Sequence, residues 1–261
     1  MTDVLRPDWK ALPSGGHEWT VPDGWGQGRA CFGGLVVASM FSLSKQVCSR
    51  PLRTIQANFL APVRPGSALA DLTVLRDGRS TTVTEVRLRQ EDRVAATAIL
   101  TFVEPRTDSR SVEGEAAPSW SEPDPKRLMP YIEGLTPEFT QHFEYHFAEG
   151  GFPYSGQKEA HIGGFIRFRD REETDTEAQI ALLDAWPCPT ITVLDGFAPS
   201  STVTWTIHLL EAITPGYARF RYRSVHARDG FSTSVGTMWR SDGRMVAYSE
   251  QTVAVFDGAS D

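Results

Sequence analysis

Residues 72–103 read LTVLRDGRSTTVTEVRLRQEDRVAATAILTFV, and this stretch decides the fold. A strand leads into the turn Arg76-Asp77-Gly78, a β-rich run covers residues 80–89, and an apolar strand covers residues 94–103 after a polar turn that ends at Arg93. Asp-Gly turns between β-rich runs are typical of tight antiparallel hairpins. The stretch therefore predicts an antiparallel sheet made of consecutive strands.

The same pattern returns in the second half of the chain. Pro65-Gly66 recurs after 150 residues, Arg76-Asp77-Gly78 after 152, and Arg93 after 151, as Arg244. The β-rich runs of this second copy cover residues 232–240 and 245–256. A period this long is far outside the range of solenoid repeats and indicates a duplicated domain instead.

Each copy is expected to hold one helix, with a strand before it and four strands after it. Residues 33–47 are apolar on most faces, which is typical of a buried helix, and this helix starts at a glycine pair. The second helix is expected at residues 176–186, before Pro187. Thr176 with Gln179 fits a capping box, and Thr174 with Glu177 fits it equally well, which leaves the start uncertain by two residues.

We expect three segments along the chain: an N-terminal domain at residues 1–104, a linker at 105–137 and a C-terminal domain at 138–261. Six prolines, with Ser, Glu and Asp between them, indicate that residues 105–137 form an exposed connector. The fold class is α+β, with two tandem antiparallel sheets that each wrap around a long central helix.

Composition excludes several classes of protein. The chain has 261 residues, is 40% hydrophobic and carries a net charge of −7, which argues against a sequence-independent nucleic-acid binder. The N-terminus lacks a signal-peptide pattern, and no run of eighteen apolar residues could span a membrane. The widely spaced cysteines Cys31, Cys48 and Cys188 contain no C-x-x-C pair, so we expect reduced thiols, a cytoplasmic location and no thiolate metal site.

Several motifs resemble the type II acyl-CoA thioesterases, which have a double hotdog fold. The resemblance rests on Phe32-Gly33-Gly34, Asn58-Phe59-Leu60, Pro65-Gly66, Leu75-Arg76-Asp77-Gly78-Arg79-Ser80 and the terminal Ser249-Glu250-Gln251. It covers most of the chain except the linker. It implies a hydrolase of lipid metabolism that acts on an acyl-CoA without a cofactor or metal, and that forms a homo-oligomer.

The resemblance also implies which residues act. The family's helix aspartate matches Asp184, and its last-strand glutamine matches Gln251. This sequence departs from the family at the residue that supplies the catalytic hydroxyl. Alignment on His208 places Ser200 at that position and Thr202 where the family has an aspartate. If the alignment is shifted by one residue, Ser201 takes the hydroxyl position instead. The first half also has Gln56 near the place where the family commonly has a histidine.

These residue types suit thioester hydrolysis. A thioester is a good acyl donor, so the reaction needs a positioned water and a stabilised oxyanion. Asp184 is expected to act as general base or to orient the water, with Ser200 or Thr202 and Gln251 holding it by hydrogen bonds. The oxyanion is expected at the helix N-terminus formed by Gly33 and Gly34, where free N–H groups and the helix dipole favour negative charge.

Each of these residues also has a purely structural interpretation. Asp184 could be the exposed end of an amphipathic helix, and Gln251 could bond a neighbouring backbone. Ser200 and Thr202 could be ordinary strand residues, and the glycine pair could serve helix–sheet packing. Strand alternation from Thr202 to Leu209 places Thr202 with His208, on the face opposite Trp205.

Three alternatives to hydrolysis remain open. They are a hotdog hydratase, which needs an Asp and His pair, a non-catalytic acyl-CoA or lipid-binding module, and a structural part of a larger assembly. Elsewhere, the residue types of a metal site occur at His142, Glu144 and His146. A solvent-exposed strand face explains their alternate spacing better than a metal site does.

Overall fold

The computed structural model describes residues 3–106, 109–172 and 174–257, and these ranges contain two α-helices and fourteen β-strands. The first half comprises β1 (Lys10–Ala11), β2 (His17–Val21), β3 (Gly26–Gln27), β4 (Ala30–Cys31), α1 (Gly33–Ser44), β5 (Leu52–Phe59), β6 (Gly66–Asp77), β7 (Thr81–Gln90) and β8 (Arg93–Val103). The second half comprises β9 (Phe143–Gly150), β10 (His161–Phe168), α2 (Thr176–Asp184), β11 (Ser200–Leu209), β12 (Ala218–Arg228), β13 (Phe231–Trp239) and β14 (Met245–Val255).

The two expected sheets are joined edge to edge into one sheet of twelve strands. Its order is β1-β2-β6-β7-β8-β5-β11-β14-β13-β12-β10-β9, and β3 pairs separately with β4. The junction is the antiparallel pair β5–β11, where Ile55 lies opposite Ile207 and Ala57 opposite Trp205, all four being buried. Buried apolar cross-strand pairs stabilise such a junction, so the two copies share one continuous sheet.

The repeat seen in the turn spacing is present in the strand register. In the first half, Leu72 pairs with Val86 and Val86 pairs with Ala98. In the second half, residues 150 or 151 positions later occupy the same places: Tyr222, Gly236 and Ser249. The two halves therefore have equivalent positions that can be compared directly.

The helices are shorter than expected. Helix α1 begins at Gly33 as predicted but ends at Ser44, and the following Lys45, Gln46 and Val47 are exposed. Helix α2 has nine residues, and neither threonine caps it: Asp175 is the N-cap, and its carboxylate accepts a hydrogen bond of 2.7 Å from the Ala178 N–H. Aspartate competes well with threonine at this position because its charge complements the helix N-terminus.

The prediction of one strand before each helix is wrong for both halves, because β1–β4 precede α1 and both β9 and β10 precede α2. Strand β10 was missed, and it lies between β9 and β12 in the sheet. Gly163 and Gly164 interrupt its apolar pattern, and a bulge in its pairing with β9 falls between them. Glycine in a strand commonly marks such a bulge, which obscures the alternation in sequence.

The described part of residues 105–137 crosses the outer face of the second half. The Trp239 indole N–H donates to the Glu115 carbonyl at 2.7 Å, and Trp120 packs against Phe165 with ring centroids 5.8 Å apart. Within the described part of this segment, the regular structure is a 3-10 turn at Pro125–Arg127. The segment is mostly exposed, and the division into domains at 104 and 138 stays a prediction.

Two further expectations concern cysteines and membranes. Cys31, Cys48 and Cys188 are all free and buried, and burial raises the pKa of Cys31 to about 12. Neither helix of the described ranges is long and apolar enough to cross a bilayer.

Helices α1 and α2 contact each other at Gly34, where the chain has no space for a larger residue. Alanine normally stabilises a helix over glycine by about 1 kcal/mol. A Cβ at position 34, however, would lie 2.5 Å from Phe32 Cζ and 3.1 Å from Ala181 Cα. We expect Gly34→Ala to lower the free energy of unfolding by about 1–3 kcal/mol through overpacking, as measured by urea denaturation.

Gly196→Ala is the matched control, since a Cβ there meets no atom within 4 Å. Its free energy of unfolding should stay within about 0.5 kcal/mol of the wild-type value. A Gly34→Ala protein that is as stable as this control would show that the contact between the helices can accommodate a methyl group at position 34.

Candidate active site

Asp184 lies where the C-terminus of α2 packs beside the N-terminus of α1, the two helices running antiparallel with Lys45 near Glu177 at their other ends. It is the last residue of α2, and its carboxylate faces the first turn of α1, where the Gly34 N–H interacts with it. A Cβ built on Gly33 would lie 2.8 Å from Asp184 Oδ2 and 3.1 Å from Phe59 Cζ. The glycine pair is therefore required by helix–helix contact at Gly34, and at Gly33 by the approach of the carboxylate together with helix–sheet packing against Phe59 of β5.

Gln251 holds the carboxylate from the sheet. Its amide Nε2 donates to Asp184 Oδ1 at 2.8 Å, and its Oε1 accepts a hydrogen bond of 3.0 Å from the Thr202 hydroxyl. Gln251 is buried on β14, and Trp205 of β11 lies opposite it. Thr202, Gln251 and Asp184 thus form one hydrogen-bonded chain, which fixes which end of the amide faces the acid.

A β-bulge brings Thr202 into this chain. Simple alternation along β11 places Thr202 on the face opposite Trp205, but Val203 is an extra residue in the pairing with β14. Thr202 therefore lies opposite Val253, while Thr204 lies opposite Thr252. The bulge reverses the phase of the strand, and it re-aims Thr202 toward Gln251, as bulges near functional sites commonly do.

Ser200 stands apart from the chain. It lies opposite Val255 at the start of β11, two residues before Thr202, and its hydroxyl makes no hydrogen bond to any described residue. Ser201 is exposed and lies opposite Ala254. Among the three hydroxyls considered from sequence, the structure joins only that of Thr202 to Gln251 and Asp184.

Burial raises the pKa of Asp184 to about 7, although the Gln251 amide and the Gly34 N–H both lower it. The carboxylate is enclosed by protein on most sides and keeps a partial opening to solvent. The negative end of the α2 dipole lies at Asp184 and disfavours a negative charge on the carboxylate, whereas the N-terminus of α1 favours that charge. Asp184 therefore exchanges a proton near neutral pH, as a general base requires.

Sequence reasoning named Trp186 as a residue that sets pocket depth, but it did not predict the group of aromatic residues that Trp186 joins beside Asp184. The Tyr145 hydroxyl donates to the Ala185 carbonyl at 3.1 Å, and Trp186 packs on Tyr145 and Phe220. Tyr222 follows Phe220 on the inner face of β12. The signal was available in the alternation of Phe220 and Tyr222 with Arg219 and Arg221, which separates an inner from an outer face.

The histidine-rich segment does not assemble a metal site. His142 stacks on Trp25 at 4.0 Å and contacts the Gly24 carbonyl, while Glu144 bonds His146, Tyr217 and Arg167 on the outer face of β9. Within residues 3–106, 109–172 and 174–257, no group of three or more His, Cys, Asp or Glu side chains could hold a metal ion.

Because the pKa of Asp184 is raised, its ionisation destabilises the folded protein, and this destabilisation grows with pH. Between pH 4 and 7 the folded protein retains a proton that the unfolded chain releases, so ionisation progressively disfavours the folded state. We expect Asp184→Asn, which cannot ionise, to be more stable than wild type at pH 8 by on the order of 2 kcal/mol, a value reduced because the group is partly exposed.

Urea denaturation at pH 5 and pH 8 measures this effect. The difference in free energy of unfolding between the variant and wild type should shrink toward pH 5. A difference that is the same at both pH values would show that Asp184 titrates near its ordinary pKa.

Models of known domain families match both halves of the chain. Residues 21–103 match the model of the acyl-CoA thioesterase N-terminal domain, and residues 114–255 match that of the acyl-CoA thioesterase C-terminal domain. A search of curated proteins found no match.

Solved structures match over nearly the whole chain. A hot dog fold protein of unknown function from Alicyclobacillus acidocaldarius is 19% identical with a TM-score of 0.87, and the match covers 99% of this chain and 100% of that one. A putative thioesterase II from Thermobifida fusca YX is 20% identical with a TM-score of 0.81 and 98% coverage of both chains. An acyl-CoA thioesterase II from Mycobacterium marinum is 14% identical with a TM-score of 0.74, again with 98% coverage of both chains. These likenesses establish the hotdog fold, and the two domain matches establish that the chain belongs to the acyl-CoA thioesterase family.

Proposed function

We propose that the protein hydrolyses an acyl-CoA to the free acid and CoA, and that Asp184 activates the water. The observation that carries the proposal is the chain from Thr202 through Gln251 to Asp184, which ends at the N-terminus of α1. A carboxylate with a pKa near 7, a fixed amide and free helix N–H groups are the parts that thioester hydrolysis needs.

In the proposed reaction, a water oxygen attacks the thioester carbonyl carbon while Asp184 accepts a proton from that water. The Gly33 N–H stabilises the oxyanion, since the first N–H groups of a helix lack partners within it and Gly34 already serves Asp184. The C–S bond then breaks, and the departing thiolate takes the proton from Asp184. Gln251 orients the carboxylate, and Thr202 orients Gln251.

The hydratase alternative lacks its second group. A hydratase needs a histidine paired with the acid, but the side-chain partner of Asp184 among the described residues is Gln251. The alternative of acyl-CoA binding without hydrolysis is an outcome of the first test below. A cytoplasmic location and a homo-oligomeric state are also part of the proposal, the first supported by three free, buried thiols. Light scattering of the purified protein tests the second against the monomer mass of 28.9 kDa.

The first test of hydrolysis is Asp184→Asn, assayed by thiol release from an acyl-CoA. Loss of a general base typically costs 10²–10⁴ in rate, so we expect kcat/KM to fall at least about 100-fold. Wild-type kcat/KM should rise with pH and level off above about 7, because only the ionised acid accepts a proton, and the variant should lose this rise.

Glu250→Gln is the matched control, because Glu250 is the exposed neighbour of Gln251 on β14. It should keep wild-type turnover and the same pH profile. An Asp184→Asn protein with wild-type turnover would remove Asp184 from the mechanism. Binding of an acyl-CoA in calorimetry with no thiol release by wild type would favour a non-catalytic binding module.

A second test separates the hydroxyls. Thr202→Val keeps the branched shape but loses the bond to Gln251, and a positioning bond of this kind is worth about tenfold in kcat. Ser200→Ala should leave kcat unchanged, because its hydroxyl makes no bond to the described residues. The reverse order of effects would assign the role to Ser200.

A further inference from the structure

The inner face of the second half differs from that of the first at equivalent positions. Leu72, Val86 and Ala98 form an apolar row across three strands, whereas Tyr222, Gly236 and Ser249 form the corresponding row. Leu100, which lies 151 residues before Gln251, is likewise apolar. Within this row the polar residues lie in the half that holds the acid, whereas further along the sheet both halves carry buried hydroxyls, with Thr82 and Thr84 at the positions equivalent to Ser232 and Ser234.

These polar groups continue along the sheet toward the loop after α2. We call them the polar wall, which comprises Tyr222, Ser224, Ser232, Ser234 and Ser249. Ser224, Ser232 and Ser234 bond to one another, and the Thr190 hydroxyl contacts two of them at 2.6 Å. The hydroxyls of the three serines and Thr190 are hydrogen-bond partners of one another. None of them bonds to the Tyr222 hydroxyl at the other end of the polar wall.

Two buried polar atoms at this end have no hydrogen-bond partner. They are the Tyr222 hydroxyl and the Trp186 indole N–H, and both residues are at least nine-tenths buried. A buried polar atom without a partner is costly, so proteins retain one where something else supplies the bond. A buried water is one such partner, and a polar substituent of the substrate is another.

The unpartnered atoms lie beside the reacting carboxylate. Trp186 follows Asp184 by two residues and stacks on Phe220 at 6.1 Å, and Phe220 packs on Tyr222 at 5.7 Å. Burial raises the pKa of Tyr222 well above its usual range, and Cys188 and then Asp184 raise it further, which places the phenol within electrostatic reach of the acid. An acyl group whose carbonyl is at Asp184 and whose chain runs along these rings toward β12 would bring its first carbons to this phenol.

We propose that the protein selects acyl groups that carry a hydroxyl or keto oxygen within a few carbons of the thioester, and that Tyr222 recognises this oxygen. The proposal rests on the acyl-CoA hydrolysis proposed above. Tyr222 is a specificity-determining residue here, because its hydroxyl supplies a bond that an unsubstituted acyl chain would leave unmade.

The experiment compares 3-hydroxybutyryl-CoA with butyryl-CoA, which differ only in the oxygen. We expect wild type to hydrolyse the hydroxylated substrate with a kcat/KM at least about tenfold higher. Tyr222→Phe should lose most of this preference, through a fall for 3-hydroxybutyryl-CoA with little change for butyryl-CoA. Its Tm should be equal to or above that of wild type, because the lost hydroxyl had no partner.

Tyr145→Phe is the matched control. It removes a buried hydroxyl from the same aromatic group, but this hydroxyl already donates to the Ala185 carbonyl. The variant should have a lower Tm and an unchanged ratio of the two kcat/KM values.

Equal rates on the two substrates, or an equal fall on both in Tyr222→Phe, would overturn the assignment of Tyr222. Hydrolysis of neither substrate would instead count against the proposed activity. In that case calorimetry with the same two acyl-CoAs decides, since the ratio of Kd values in wild type and in Tyr222→Phe should show the same preference and its loss.

Discussion

The Asp184 carboxylate lies between two helix ends of opposite polarity, and the surrounding structure follows from how it is held there. Its own helix ends in carbonyl groups that disfavour a negative charge, and burial disfavours it further. The start of α1 and the Gln251 amide compensate in part. This arrangement requires the helices to approach closely, which explains the glycine at 34 opposite Ala181 and the glycine at 33 opposite the acid.

The duplication explains why one chain supplies the whole constellation. The first half provides a helix N-terminus, and the second half provides the acid, the amide and the hydroxyl. The β5–β11 junction fixes the two halves relative to each other, because Trp205 lies between Ala57 of the first half and Gln251 of the second. The position equivalent to Gln251 in the first half is Leu100, so the two copies have diverged into different tasks.

Much of this could be predicted from the sequence, and the exceptions have physical causes. The turns and strands of the repeat are local patterns, and β7, β8, β13 and β14 begin and end within one residue of their predicted limits. Joining the halves into one sheet depends on pairing between strands some 150 residues apart, which no local pattern encodes. The inward turn of Thr202 depends on a one-residue bulge, and alternation alone predicts the opposite face.

The site residues were nominated by resemblance, and their geometry shows why a resemblance was needed. Gln251 and Thr202 look like ordinary strand residues until the sheet places both beside the end of α2. Asp175 at the helix start was missed for a related reason, since three candidate caps lie within three residues and their rotamers decide between them.

The neutral character of Gln251 follows from the chemistry proposed for Asp184. An arginine, lysine or protonated histidine at 251 would stabilise the carboxylate more strongly and would lower its pKa well below neutrality. A base of such low pKa would be ionised at every working pH but would attract the proton of water only weakly. An amide donor orients the carboxylate with less effect on its pKa, and the Thr202 hydroxyl keeps the amide nitrogen directed at the acid. Burial raises the pKa and the two donors limit the rise, which leaves the acid near 7, where it is both ionised and basic enough to act.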